Sequence, residues 1–216
     1  INTSLSDIKN YYSKEYKITP FGTLVQEEDD KDLFIGNYLF QKRLASFDNE
    51  EVGSKTSQGA DSTFLDDVLT RIGSSLNWTS EEYKIALANS FLVSADNAHA
   101  LHPNHPELSD ALNRPLLNKG IAIKFNASES YTSNGLSASV FKTILDKANV
   151  PYQNFTNRSD IRGGGTLGNL SASHVSIVSV DIGCPQLAMH SAYETAGVDD
   201  IEHMFNALKA FYKSTL

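Results

Sequence analysis

The chain has 216 residues with 26 acidic and 18 basic side chains, giving a formal net charge of −8. This acidic balance argues against nucleic acid or an anionic membrane as the main partner, because both repel a negative surface. No apolar run reaches the roughly 18 residues of a membrane span. A single cysteine, Cys184, leaves no internal disulfide framework. It fits a cytoplasmic location and predicts a small buried side chain rather than a reactive thiol.

From residue 44 onward, short apolar runs alternate with helical patterns, which predicts an α/β fold with a parallel sheet. Strands are predicted at 44–47, 91–93, 121–125, 152–155 and 175–180. Helices are predicted at 61–76 and 136–148, and further ones starting at Thr166 and near Asp199. The proline-rich segment 102–120 is predicted to be a long loop, a length that is often functional in compact domains.

The last helix carries two local predictions. Asp199 and Glu202 resemble a capping box at its start. Its apolar residues repeat at helical spacing and predict a buried stripe made of Ile201, Phe205, Leu208 and Phe211.

Paired glutamates, Glu50 and Glu51, stand before Gly53 at the end of an apolar stretch. Packing explains them poorly, because burying a charge without a partner is costly. A hydrolytic metal site explains both, with one carboxylate binding a cation and the other moving a proton. The alternative is a solvated acidic turn at a strand end.

Two further candidates follow predicted strands. Asp96 comes directly after the strand at 91–93, and His190 follows the strand at 175–180. Ligands gather at the carboxyl ends of strands in parallel α/β sheets, which favours a metal site. The alternatives are a helix N-cap for Asp96 and a structural role for His190.

Three histidines, His99, His102 and His105, recur every third residue. A mononuclear metal site built from all three is a second possible interpretation. Pro103 and Pro106 exclude a helical metal face there, because proline breaks a helix.

A glycine run matches the dinucleotide fingerprint G-x-G-x-x-G at Gly163, Gly165 and Gly168. No buried strand precedes it, and Asp181 arrives too early for the acidic residue of that fingerprint. We therefore predict a turn whose N–H groups approach a ligand, followed by a helix. NAD binding remains the alternative.

Three multi-residue segments carry a resemblance to a known family. They are Asp48–Ala60 with the paired glutamates, Ser94–Asn104 with Asp96 and His99, and Gln186–Ser191 with His190. In order and spacing they resemble the aspartyl aminopeptidase and aminopeptidase I family of zinc metallopeptidases, over residues 45 to 214. The resemblance implies a three-layer α/β domain, a sheet flanked by helices, that is incomplete in this chain. Residues 1–35 would then be a remnant of the preceding segment, and 36–216 the C-terminal part of the catalytic domain.

The resemblance also implies roles for individual residues. Glu50 matches the general base, and Glu51, Asp96 and His190 match metal ligands of a two-zinc site. Residues that match the substrate pocket are His99, Lys124, Tyr131, Gly164 and Gly165. The implied activity is hydrolysis of the first peptide bond of peptide substrates, with acidic N-terminal residues as a candidate class, by an enzyme that forms a large homo-oligomer.

The chain departs from the family pattern in two places. No histidine precedes His99, so the upstream His-x-Asp motif is missing. The Arg-Leu-Asp segment, whose aspartate bridges the metals in the family, is also missing: Arg43-Leu44-Ala45 has alanine in the place of the aspartate and surroundings that do not match. We therefore expect this chain by itself to be inactive. The alternative function is a non-catalytic relative that serves as an assembly subunit.

Overall fold

The structure is a computed structural model that describes residues 16–18, 24–26, 43–161 and 163–214, the first two segments as backbone only. The chain divides into two compact units, Ile1–Ser90 and Phe91–Leu216. The boundary predicted between residues 35 and 36 lies outside the described residues. Among the described helices, none is both long and apolar enough to cross a membrane.

In the described residues of the first unit, a small antiparallel sheet is combined with two α-helices. Its strands are β1 (Tyr16–Ile18), β2 (Leu24–Gln26) and β3 (Arg43–Leu44), in that order. The predicted buried strand at 44–47 is wrong: β3 ends at Leu44, whose side chain is 41% exposed. A short, mostly apolar segment forms a strand only if a neighbouring strand pairs with it. Here the pairing of β3 with β2 ends at Leu44.

Two helices follow in this unit, α1 (Phe64–Ser75) and α2 (Ser80–Ala88). The first confirms the helix predicted at 61–76, although it begins later because a turn occupies the preceding residues. The second was not predicted. Its signal is a capping box in which Thr79 and Glu82 cap each other's backbone N–H groups.

The second unit is built on seven strands in two sheets. The strands are β4 (Phe91–Ala95), β5 (Ala98–His99), β6 (Ile121–Phe125), β7 (Tyr152–Thr156), β8 (Val178–Gly183), β9 (Pro185–Leu187) and β10 (Thr195–Ala196). The larger sheet has the order β4-β8-β6-β7, and the smaller one β10-β9-β5. The β4–β8 and β6–β7 pairs are parallel, but β6 runs antiparallel to β8. The sheet is therefore mixed, and the prediction of a parallel sheet is wrong for its central pair.

Helices cover both faces of this larger sheet. They are α3 (Gly135–Ala148), α4 (Leu167–Ala172) and α5 (Val198–Lys213). On one face, strand residues pack with α3 and α5 around a fully buried core that includes Ile121, Ile123, Phe141, Leu145, Val180 and Ile182. The intervening strand residues point to the opposite face, where α4 packs on β4 and β8. This arrangement confirms the predicted three-layer α/β fold.

The start and the buried face of α5 differ from their predictions. No side chain caps the helix at Gly197, so the Asp199–Glu202 capping box is wrong. Ile201 and Phe205 are 63% and 43% exposed. The residues that α5 turns to the core are Met204, Ala207, Leu208 and Phe211. Since these also repeat at helical spacing, the helix offered two overlapping apolar stripes, and packing against α3 selected one.

Asp200, in the first turn of α5, binds a separate segment of the chain, and that segment in turn supplies Asn118 Oδ1, which accepts the Asp199 N–H of the helix at 3.0 Å. The fully buried Asp200 carboxylate accepts the backbone N–H of Asn118 at 2.6 Å and of Gly120 at 3.0 Å. We predict that Asp200→Ala lowers the free energy of unfolding by about 2–3 kcal/mol, because two buried donors lose their acceptor. Urea unfolding measures this. Asp199→Ala, at the exposed neighbour, is the control and should change stability by less than about 0.5 kcal/mol.

Cys184 confirms the prediction of a buried side chain. Burial raises the pKa of its thiol to about 11, with the nearby Asp200 adding to the shift. At pH 8, about a thousandth of the thiol is then ionised, and thiolate is the reactive form. We predict that a disulfide exchange reagent modifies Cys184 at least about 100-fold more slowly in the native protein than in guanidinium. Equal rates would contradict this burial.

Candidate active site

Glu50 and Glu51 lie on a tight turn in the first unit, a 3-10 helix over Glu50–Val52. Asn49 and Gly53 flank it with φ angles of 60° and 100°. Gly53 donates to the Glu50 carbonyl at 2.9 Å, which closes the turn. A φ of 100° is accessible mainly to glycine, so the glycine after the glutamates is required by the backbone. The turn leaves Glu50 half-buried and Glu51 exposed.

A second glycine supports the same turn. A Cβ atom added to Gly59 would lie 2.0 Å from the Ser54 carbonyl oxygen, so only glycine permits this close approach. Ser54 is itself 1% exposed. The motif that contains the paired glutamates and the one that contains Gly59 are therefore two halves of one compact loop.

Asp96 lies in the second unit where β4 ends and β5 begins, as the sequence predicts. Its backbone N–H donates to Ile182 of β8 at 3.0 Å. Gly183 approaches so closely that an added Cβ would be 1.9 Å from the Asp96 carbonyl oxygen. The Asp96 backbone is thus fixed by the neighbouring strand, while its side chain remains 27% exposed.

Lys124 is the most deeply buried charged group beside Asp96. Its side chain is 2% exposed, and its Nζ lies 3.4 Å from Asp96 Oδ2 and 5.4 Å from the centre of the Tyr131 ring. The Tyr131 hydroxyl accepts a hydrogen bond from Asn157 Nδ2 at 3.2 Å. Burial, the largest cause, raises the pKa of Tyr131, so the hydroxyl stays neutral. A buried ammonium beside an aromatic ring is suited to bind an anionic group.

His99 is close enough to this cluster for its charge to be affected. Burial lowers the pKa of His99, and the charges of His190 and Lys124 lower it further, against an opposing effect of Asp96. At neutral pH the imidazole is therefore neutral. Asp96, Lys124 and Tyr131 thus form one cluster within the second unit, and His99 lies within electrostatic range of this cluster and of His190.

The loop with His190 has an unusual backbone. Ala188 and His190 have φ angles of 56° and 67°, in the left-handed region that non-glycine residues rarely adopt. The His190 N–H donates to Glu194 Oε1 at 2.6 Å, which holds this conformation. Strained backbone of this kind clusters at functional sites, which supports a role for His190 beyond packing.

The expected zinc site requires several ligating side chains close to one point. Zinc in proteins takes about four ligands, mostly His, Cys, Asp and Glu. In residues 43–161 and 163–214, no group of three or more such side chains could hold one metal ion. The described residues therefore do not form a complete zinc site. The alternative of a site built from His99, His102 and His105 is wrong for the same reason, although the rings of His102 and His105 lie 5.2 Å apart.

The glycine run lies on an irregular loop over residues 163–166 rather than on the predicted turn, whereas the helix expected from Thr166 is confirmed. It precedes α4, which begins at Leu167 after Thr166, while β7 ends at Thr156, too early to be the strand of a dinucleotide motif. Cβ atoms added to Gly164 or Gly165 would meet nothing within 4 Å. No neighbouring atom therefore crowds these two positions, and their place in a substrate pocket stays a prediction.

Sequence reasoning missed two residues at this cluster, Asn157 and Asp181. Asn157 follows β7 and gave no signal of its own. Asp181 did give a signal, because a carboxylate in the middle of an apolar strand is costly to bury unless other groups form hydrogen bonds with it.

The second unit is a three-layer α/β domain, and its acidic and histidine side chains lie after parallel strands. It therefore belongs to the class of α/β domains whose functional sites lie at strand ends. The sequence matches the family described as "Aminopeptidase I zinc metalloprotease (M18)" over residues 24–212. The chain belongs to this family.

Individual relatives agree with the family. The chain is 57% identical over 169 residues to a probable M18 family aminopeptidase 2 of Clostridium novyi (strain NT), covering 78% of this chain and 39% of that protein. It is 44% identical to a probable aspartyl aminopeptidase of Ricinus communis, with coverages of 84% and 37%. The chain thus spans about two fifths of the length of the relatives that it matches.

Solved structures show the same fold. A chain of the Ape4 and Nbr1 complex, solved by cryo-EM, matches with a TM-score of 0.72 and 41% identity, covering 75% of this chain and 31% of that one. The S. cerevisiae mApe1 dodecamer matches with a TM-score of 0.66 and 29% identity, with coverages of 77% and 36%.

Proposed function

We propose that the protein is a zinc-dependent aminopeptidase that releases N-terminal residues, acidic ones in particular, from peptides in the cytoplasm. Membership of a zinc metalloprotease family supports the reaction class. The observation that carries the specificity is the Lys124 ammonium, buried between Asp96 and the Tyr131 ring. The proposed activity is that of the whole protein, and this chain contributes part of its site.

The residue roles are proposed from the resemblance of the motifs. Glu50 is the general base, and Glu51, Asp96 and His190 are ligands of a two-zinc site. When bound, zinc would polarise the substrate carbonyl and acidify water. Three ligands are too few for two ions, so groups other than these must complete the coordination.

The pocket residues have functions that follow from their contacts. The Lys124 ammonium would bind the side-chain carboxylate of an N-terminal Asp or Glu through a charge-assisted hydrogen bond. The Tyr131 ring and the neutral His99 would line the same pocket. The open backbone at Gly164 and Gly165 would let a substrate chain approach closely.

The test compares dipeptides with N-terminal glutamate, aspartate or leucine, and an N-acetylated glutamyl control. The purified protein is assayed after chelation and after zinc is restored. We expect zinc-dependent cleavage of the free glutamyl and aspartyl peptides, and none of the acetylated one. Cleavage that survives chelation, or that proceeds equally on the blocked peptide, would contradict the proposal.

The second candidate function is that of a non-catalytic assembly subunit. Two observations favour it: no metal-binding group of three lies in the described ranges, and a related structure is a dodecamer. Both candidates predict self-association, which sedimentation velocity measures. They differ in zinc content, because the subunit would co-assemble without binding two zinc ions per chain.

A further inference from the structure

Asp181 is a fully buried carboxylate at the centre of the larger sheet. Its Oδ2 accepts hydrogen bonds from the Thr132 N–H at 2.6 Å, the Thr132 hydroxyl at 3.1 Å and the Thr166 hydroxyl at 2.8 Å. Three hydrogen bonds to one oxygen of a buried carboxylate hold the donors firmly, because a hydrogen bond to a charged acceptor is stronger than one between neutral groups.

These donors come from two separate segments. Thr132 follows Tyr131, whose ring lies under the Lys124 ammonium. Thr166 ends the glycine run and precedes α4. A further bond attaches the first segment, since the Asp181 N–H donates to Ser133 Oγ at 2.9 Å. Asp181 therefore ties together the two stretches of chain that border the proposed substrate pocket.

The other carboxylate oxygen has a different environment. Asp181 Oδ1 and Ser94 Oγ are buried and have no hydrogen-bond partner within the described part of the chain. A Cβ added to Gly168 would lie 2.8 Å from each of them, so both atoms border the same point on α4. The amide of an asparagine keeps the shape of the carboxylate, and its oxygen can take the place of Oδ2 as the acceptor of the three donors. Asparagine can therefore replace this aspartate without losing the Oδ2 attachments.

We propose that Asp181 is the positioning residue of the substrate pocket. Its carboxylate fixes Tyr131 and the glycine run around the Lys124 ammonium, and so sets the affinity for an acidic N-terminal residue. The identity of that ligand rests on the proposed function. The attachment of the two segments rests on the hydrogen bonds alone.

The experiment compares Asp181→Ala with Asp181→Asn in the purified protein. Hydrogen–deuterium exchange is followed in peptides covering 126–134 and 163–170, and kcat and KM are measured on the p-nitroanilides of L-glutamate and L-leucine. For Asp181→Ala we expect faster exchange in both segments and a KM for the glutamyl substrate raised by roughly tenfold, with kcat and the leucyl KM within about threefold. Asp181→Asn should restore both values to near the wild-type level.

A milder pair of variants keeps the test decisive if Asp181→Ala does not fold. Thr166→Val removes one donor and keeps the shape, so it should speed exchange only in 163–170 and raise the glutamyl KM by about threefold. Thr143→Val, at an exposed position on α3, is the matched control. An unchanged exchange rate and KM in Thr166→Val would overturn the proposal.

Two further outcomes separate this proposal from the proposed function. If Asp181→Asn is as impaired as Asp181→Ala, or if kcat falls while KM is unchanged, the positioning role is overturned although the protein is an aminopeptidase. If the wild-type protein cleaves neither substrate, the proposed function fails. Exchange in the two segments, with L-glutamate binding measured by calorimetry, then decides the positioning role.

Discussion

Glu50→Gln is expected to lower kcat for peptide hydrolysis by about 10²–10⁴-fold, the range for a lost general acid–base group. Glutamine keeps the size and the half-buried position of the side chain on its turn, but it cannot accept a proton at neutral pH. KM and zinc content should remain near wild type, since Glu50 is assigned no metal bond. Steady-state kinetics and metal analysis of the same preparation provide both measurements.

The matched control is Glu81→Gln, at an exposed position in the first turn of α2 within the same unit. It should leave kcat and KM unchanged. A parallel loss of zinc in Glu50→Gln would show that Glu50 is a ligand, which would exchange the roles proposed for the two glutamates. Full activity in Glu50→Gln would contradict the base assignment altogether.

Lys124→Met is expected to reduce kcat/KM for acidic N-terminal residues by about 10–100-fold, while a leucyl substrate is affected much less. Methionine fills a similar volume in the buried space but lacks the ammonium. A charge-assisted hydrogen bond is worth about 1.5–3 kcal/mol, which gives this range. The comparison of glutamyl and leucyl peptides at fixed zinc concentration measures the change in preference.

Loss of the ammonium also removes the partner that lies 3.4 Å from Asp96. Part of the effect could therefore act through stability, and thermal unfolding of the same variant separates the two. Lys147→Met, at an exposed position in the last turn of α3, is the control and should change neither preference nor stability. Equal losses on acidic and leucyl substrates would show that Lys124 supports the fold rather than specificity.

In the second unit, apolar runs and helical periodicity predicted most of the longer strands and helices. The strand at 121–125 and the helix that ends before Pro151 were predicted nearly to the residue. The strand is a mostly apolar run that follows Gly120, and the helix has a clear apolar periodicity and ends before Pro151. The strand at 175–180 was placed early, because Val175 is buried outside the sheet and the strand itself runs from Val178 to Gly183. Buried residues beside a strand give the same apolar signal as the strand.

The sequence pointed to those candidate site residues that directly follow a strand. Asp96 lies after a parallel strand, as predicted, and His190 follows β9, a strand of the smaller sheet that comes next after β8 in the chain. The contacts of Lys124 with Asp96 and Tyr131 needed the folded chain, and so did the role of Asn157. A lysine in a short apolar strand does not indicate which carboxylate, 28 residues away, will lie beside it.

Local sequence signals were sufficient to predict the α/β class, the glycine-dependent turn at Glu50 and Glu51, the burial of Cys184 and the family. These follow from short-range rules: side-chain periodicity, the φ angles that glycine permits, and motifs of adjacent residues. Three features became known from the folded chain: β6 runs antiparallel to β8, α5 buries one particular apolar stripe, and Asp181 joins two distant segments. These depend on partners brought together by packing, because an apolar stripe or a buried carboxylate is compatible with several neighbours until the whole core selects one.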